Sequence, residues 1–175
     1  MNETMNDITL TADCSQCVAL CCLAFAFDKG SQFAIDKPAG SACPKLDDHG
    51  RCTIHETLID KGFNGCVRYT CFGAGQRVTQ DLFDGKSWQN DAALKRPMIQ
   101  TFEAMRHLHE MLILLNEAEK LPLSQREAKQ LGQLKLALHT DDVLDMRTLM
   151  SLERGTISRD VRLFIKSLRK YVSQS

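Results

Sequence analysis

Apolar positions along the chain follow two different patterns, and the change comes near residue 90. Beyond it, Met98, Phe102, Met105, Leu108, Leu112 and Leu115 recur at steps of three and four, which predicts a long amphipathic helix over 97–119. Pro97 suits the first turn of that helix, and Pro122 closes it. Ser124 followed three residues later by Glu127 forms a capping box that opens a second helix through His139. Thr140 or Asp141 caps a third, which carries Val143, Leu144, Leu149 and Leu152 to a stop at Gly155. Ser158 caps a fourth, with Val161, Phe164, Leu168 and Val172 along one face. Short links make neighbouring helices antiparallel, so a small bundle is expected.

Before residue 90 no such period holds. Eight of the ten glycines lie at or before Gly85, and the longest apolar run, Val18 to Phe27, is interrupted by two cysteines. This stretch reads as turn-rich and irregular. All eight cysteines fall between Cys14 and Cys71, with none from Phe72 to the end. That density marks a cross-linked or metal-bound scaffold. The expected fold is mainly α: an irregular, cysteine-rich, metal-stabilised module over residues 1–90, packed on a helical bundle over residues 91–175.

Composition narrows the setting. The 175 residues carry 22 basic and 22 acidic side chains, a net charge of zero, which excludes a disordered acidic tail or a polybasic arm. No apolar run approaches the ~20 residues that cross a bilayer. The opening MNETMNDITL has acids and no basic region, so no secretory signal is expected and the protein is read as cytoplasmic. In that reducing compartment clustered cysteines are metal ligands or redox groups sooner than disulfides.

The cysteines form three groups: Cys14, Cys17, Cys21 and Cys22; then Cys43 and Cys52; then Cys66 and Cys71. Short pairs separated by turn-rich loops are what a thiolate site needs, since one pair fixes two ligands cheaply and a distant pair closes the chain between. Thiolates serve zinc or an iron–sulfur cluster equally well, and their softness excludes magnesium and calcium. If residues 14–22 are helical, Cys14, Cys17 and Cys21 share one stripe while Cys22 points about a quarter-turn away. If they form a loop, a knuckle-like turn at Cys14 and Cys17 is more natural. His49 and His55 flank Cys52 at three residues on either side and are candidates to complete a mixed site.

These residues resemble a family. The start Cys14-x-x-Cys17-x-x-x-Cys21-Cys22, then Ala42-Cys43-Pro44-Lys45-Leu46, Gly50-Arg51-Cys52-Thr53-Ile54-His55 and Gly65-Cys66, are similar to the CxxCxxCC zinc- or iron-chelating cysteine-cluster proteins of bacteria. The chain departs by having three rather than two residues before the Cys21-Cys22 pair. Phe33-Ala34-Ile35-Asp36-Lys37-Pro38-Ala39-Gly40, Cys71-Phe72-Gly73-Ala74-Gly75-Gln76 and Met105-Arg106-His107-Leu108-His109-Glu110 look more closely like the module heading some pentapeptide-repeat proteins. The resemblance implies a zinc- or iron-binding cysteine cluster formed by all eight cysteines. It does not imply a reaction, and no pentapeptide repeat follows.

Other signals are weaker. Gly85-Lys86-Ser87 ends like a phosphate-binding loop, but Gln80 stands where its first glycine belongs. Gly73-Ala74-Gly75 lacks the third glycine and a following helix pattern, so it reads as a turn leaving the last ligand, with an amide nest for thiolate charge as the alternative. His107 and Glu110 share a helix face as metal-binding bundles use, with His109 on another; a polar edge or a hydrogen bond into the cysteine module is the simpler reading. From Arg147 to Lys170 seven basic residues face Glu153 and Asp160, read as a solvated face rather than a nucleic-acid surface because no aromatic interleaving accompanies them. The leading expectation is a metal-binding protein with a helical surface for another protein. The alternatives are an iron-dependent redox or peptide-modifying enzyme, or its metal-handling partner, with an open site near His107 and Glu110, and a thiol redox sensor using Cys21, Cys22 or Cys71.

Overall fold

The computed structural model describes residues 8–139 and 145–172. It is mainly helical, as the periodicity predicts. In chain order the helices are α1 (Leu20–Ala24), α2 (Asn64–Arg68), α3 (Ala74–Arg77), α4 (Lys95–Ala118), α5 (Gln125–Leu138), α6 (Met146–Arg154), α7 (Ile157–Ser167) and α8 (Arg169–Val172). Single 3-10 turns occupy Cys14–Gln16, His55–Thr57 and Ala92–Leu94, and α3 runs on into a π turn over Val78–Leu82. Among the described residues extended backbone pairs only as two isolated antiparallel bridges, Phe27 with Lys37 and Leu46 with Cys52.

The long helix α4 is the centre of the molecule and packs against α1, α3, α5, α6 and α7. Its apolar stripe, Met98, Phe102, Met105, Leu108, Leu112 and Leu115, is buried throughout. On one side it meets Leu131, Leu134 and Leu138 of α5, Leu149 of α6, and Val161 and Phe164 of α7. On the other it meets Leu20, Leu23 and Ala24 of α1, Ala74 of α3, Val78, Phe83 and Trp88. One apolar cluster thus takes residues from both sides of residue 90. The Phe25 ring, 5.8 Å from that of Phe102, belongs to the same joint.

Most helix ends follow the sequence. Ser124 caps α5, its hydroxyl accepting from the Glu127 amide while the Glu127 carboxylate accepts from the Ser124 amide. Glu127 also accepts from Tyr171 at 2.7 Å and pairs with Lys170 at 2.8 Å, tying α5 to α8. Two expected caps differ. α6 starts at Met146, where Asp145 accepts from the Thr148 amide at 2.7 Å; Thr140, Asp141, Val143 and Leu144 lie outside the described residues. α7 starts at Ile157, one residue before Ser158, which is buried inside the helix with its hydroxyl 3.2 Å from His107 Nε2. Packing against α4 thereby claims a hydroxyl that the sequence offers as a cap.

Replacing Phe102 by alanine should destabilise the protein by ~3–5 kcal/mol, as loss of a fully buried aromatic ring leaves a cavity between the two halves. Leu136→Ala, on a side chain that is 66% exposed, should change stability by no more than about 0.5 kcal/mol. Urea unfolding of the two variants checks both.

Candidate functional site

The segment carrying the first cysteines is not one helix. Cys14 begins a 3-10 turn capped by Asp13, which accepts from the Ser15 amide at 2.9 Å and from its hydroxyl at 2.6 Å. Ala19 then takes a left-handed conformation, φ 56°, and α1 begins at Leu20. The stripe of Cys14, Cys17 and Cys21 expected of a continuous helix therefore does not form; two short turns meet at a bend instead. The backbone around the bend is satisfied from α3 and beyond. Gln76 Nε2 donates to Thr11 O at 3.1 Å, and Gln80 Nε2 to Gln16 O at 2.8 Å. The Val18 amide donates to Thr79 Oγ1 at 3.3 Å, and Trp88 Nε1 donates to Val18 O at 2.6 Å.

Gly73-Ala74-Gly75 opens α3 and is not only a turn. Phe72 and Gly73 both have positive φ, 51° and 82°, and swing the chain from Cys71 into the helix. Gly73 cannot carry a side chain, because a Cβ there would lie 2.5 Å from the Thr9 carbonyl. At Gly75 a Cβ would lie 2.6 Å from Cys17 Sγ and 3.7 Å from Cys71 Sγ. The missing side chain of that glycine leaves room for both sulfurs.

The other cysteines are set by paired loops. The Phe27–Lys37 bridge closes with two hydrogen bonds of 2.8 Å, and Phe33 stacks on Phe27 at 4.5 Å. The Cys43 amide donates to Cys22 O at 3.0 Å, which draws this loop onto α1. The Leu46 amide donates to Cys43 O at 3.1 Å, and Leu46 pairs with Cys52. Cys66 lies on α2, which docks on the same loop through the Gly65 amide to Gln32 O at 3.0 Å. Lys37 is 3% exposed, and its ammonium donates to the carbonyls of Leu23, Pro38 and Ser41 at 3.4, 3.1 and 2.7 Å. Burial lowers its pKa, while the charges of Cys43, Cys22 and Cys21 act in the opposite direction. Nothing in the sequence singled out this buried cation, or Gln76, Thr79 and Trp88, because their partners are distant in the chain.

All eight cysteines are free thiols. The Cys21 sulfur is 3.9 Å from that of Cys22, and charge on Cys21 raises Cys14, Cys17 and Cys66. Cys71 and Cys52 act on Cys14, while Cys43 and Cys52 act on Cys66. Burial first, then mutual repulsion, pushes Cys17 up to about 12 and Cys66 up to about 11. Partial desolvation and the same neighbours raise Cys14. Cys21 is held well above the ordinary thiol range by its contact with Cys22 and then by burial. Among the described residues, no group of three or more histidine, cysteine, aspartate or glutamate side chains stands ready to grip an ion. The donor chemistry itself suits a soft one: eight thiols, with a glycine leaving room beside two of them. His49 and His55 are exposed.

On α4, His109 rather than His107 faces the cysteines. His109 is fully buried; Nδ1 is 2.5 Å from Phe72 O and Nε2 is 3.3 Å from Arg77 Nη1. A carbonyl only accepts and a guanidinium only donates, so Nδ1 carries the proton and the ring is neutral. Burial lowers its pKa to about 4; the Phe72 bond opposes the shift and the Arg77 charge adds to it. His109 thus pins the residue after Cys71. His107 turns to Ser158 on α7, and Glu110 pairs with Arg106.

The chain is similar to a Bacillus subtilis protein described as uncharacterized, YybG, with 43% identity over 116 residues. That stretch is 66% of this chain and 42% of YybG, so the chain spans less than half the length of that relative. No family model matches the chain. No solved structure matches it.

The His109 geometry sets a pH dependence. The folded pKa of about 4 lies below the ordinary value of 6.5, so the unfolded chain takes up the proton first. Stability from this group is fully present above pH 6.5 and falls by up to about 3 kcal/mol as pH drops through 4. His109→Gln should remove this component. The wild-type minus variant difference in unfolding free energy, measured at equal metal content from pH 7 to 4, checks it.

Proposed function

We propose that this chain is a cytoplasmic metal-binding protein that holds zinc or iron, as single ions or an iron–sulfur cluster, through its cysteine cluster. In this reading the helical half presents a surface to another protein. The observation that carries it is the set of eight free thiols, of which Cys21 and Cys22 have sulfurs 3.9 Å apart while Cys17 and Cys71 share the space beside Gly75. The likeness of the motifs to the zinc- or iron-chelating cysteine-cluster family supports the same reading. Cys14, Cys17, Cys21, Cys22, Cys43, Cys52, Cys66 and Cys71 would supply the thiolates, and the metal would supply cross-linking of loops that have little regular structure of their own.

One candidate sensor thiol is set against the redox-sensor role. A sensor cysteine needs its thiolate at neutral pH, whereas contact with Cys22 and then burial hold Cys21 well above the ordinary thiol range. A soft ion reverses that balance, since it binds only the deprotonated form. No helix among the described residues is long and apolar enough to cross a membrane.

Metal and sulfide analysis of protein purified without air tests the proposal. Zinc or iron that co-purifies with folded protein is expected, and folded protein that neither retains nor takes up either metal would refute it. Two further outcomes follow. Zinc binding near pH 7 should release close to one proton per ligating thiol, read by calorimetry in buffers of different ionisation enthalpy. Chelation should expose the amides of residues 14–75 to hydrogen exchange before those of α4 and α5, because ligand closure contributes ~10–16 kcal/mol in small thiolate modules.

A further inference from the structure

The sulfurs of Cys21 and Cys22 lie 3.9 Å apart, although adjacent side chains on a helix set out about 100° apart. The short helix that carries them is fixed from several directions. Leu20 and Leu23, which flank the pair, are fully buried in the main apolar cluster. Backbone bonds continue the hold. The Leu23 amide donates to Ala19 O at 3.0 Å, and the Phe25 amide donates to Cys21 O at 3.3 Å. Cys22 O accepts from the Cys43 amide at 3.0 Å. Both cysteines are nevertheless only half-buried and both are free thiols. A small molecule therefore meets two converging sulfurs on a fixed backbone, and capture costs little further ordering.

The number of donors selects the ligand. Among the described residues no three histidine, cysteine, aspartate or glutamate side chains stand together as a cation would require. Two thiols do stand together, and two are what a thiophile with two exchangeable bonds needs. Trivalent arsenic carrying one carbon substituent is such a centre. Ionisation points the same way. Contact with Cys22 and then burial hold Cys21 well above the ordinary thiol range, and a cation must displace that proton before it binds. An arsenical takes up neutral thiols and leaves an uncharged product, so the partly buried pair never has to carry charge.

We propose that Cys21 and Cys22 form a dithiol site for a monosubstituted trivalent arsenical. In the binding step the oxide R–As=O condenses with both thiols. Two As–S bonds form, the arsenic–oxygen bond breaks, and the oxygen leaves as water with the two thiol protons. Arsenic stays trivalent and neither sulfur is oxidised, so no further reactant is needed. The step goes beyond the metal-binding reading and does not require zinc or iron to be bound.

Phenylarsine oxide is the probe. The full chain is kept reduced with a phosphine and treated with chelator, its helices are verified by circular dichroism, and adducts are counted by native mass spectrometry. One phenylarsine per chain is expected at stoichiometric addition, stable to excess monothiol and released by excess dithiol. Cys21→Ser and Cys22→Ser should each weaken binding by ~100-fold or more, since the second thiol acts at high effective concentration. Cys17→Ser and Cys71→Ser, which break the pair beside Gly75, should each keep the adduct. A folded wild-type chain that takes up no phenylarsine overturns the proposal. So does undiminished binding in Cys21→Ser or Cys22→Ser, or loss from folded Cys17→Ser or Cys71→Ser. If a variant does not fold, fragmentation of the intact wild-type adduct decides, with the added mass expected between Leu20 and Leu23 and overturning the proposal if found elsewhere. If chelation unfolds the chain, the same count on untreated protein decides. Zinc and iron content of untreated protein is measured separately, so failure of this site and failure of the metal-binding reading remain distinct results.

Discussion

The loops that carry the eight free thiols have little regular structure of their own, and the rest of the architecture follows from holding them in place. The confinement comes from α4. One side of that helix buries the bundle, and the other buries α1, α3 and the segment ending at Trp88. The cysteine-bearing loops are therefore clamped onto an element whose own stability comes from ordinary packing. Their backbone, short of regular partners, is satisfied instead by side chains arriving from α3 and its π turn. Cost and support are spatially separated: buried thiols are costly to ionise, and the bundle holds the loops that carry them in place.

Two of the supports act through single atoms. The neutral His109 ring links Phe72 O to Arg77, so the turn that carries Cys71 is fastened to the helix that carries the core. The Lys37 ammonium fastens the Cys43 loop to the end of α1 through Leu23 O. Each of the two turn regions is anchored by one buried basic side chain, one of them uncharged and the other a cation.

The regular half of the molecule was legible because its rules are local. The stripe from Met98 to Leu115 and the Ser124–Glu127 box need only neighbours three and four residues away, and both stand as the spacing implies. The same rule misled at Ser158, where tertiary packing against His107 outweighs capping. It also misled at Gly73-Ala74-Gly75, where a four-residue helix is too short to show a period. In the cysteine region the candidate residues were plain and their arrangement was not. A helical stripe from Cys14 to Cys21 is broken by the left-handed Ala19, a conformation that alanine does not advertise. The bonds that join the Cys43 amide to Cys22 O, and the Lys37 ammonium to Leu23 O, link residues with no shared sequence signal.

Trp88 is the sole tryptophan of the chain, and its indole N–H is bonded to Val18 O, the residue after Cys17. The tryptophan emission of the protein therefore comes from beside the first cysteine turn. Its emission is a native optical gauge of how tightly the first cysteine turn is seated, one that needs no dye or label. Heavy or paramagnetic ions held by Cys17 would report their presence by quenching this single lamp.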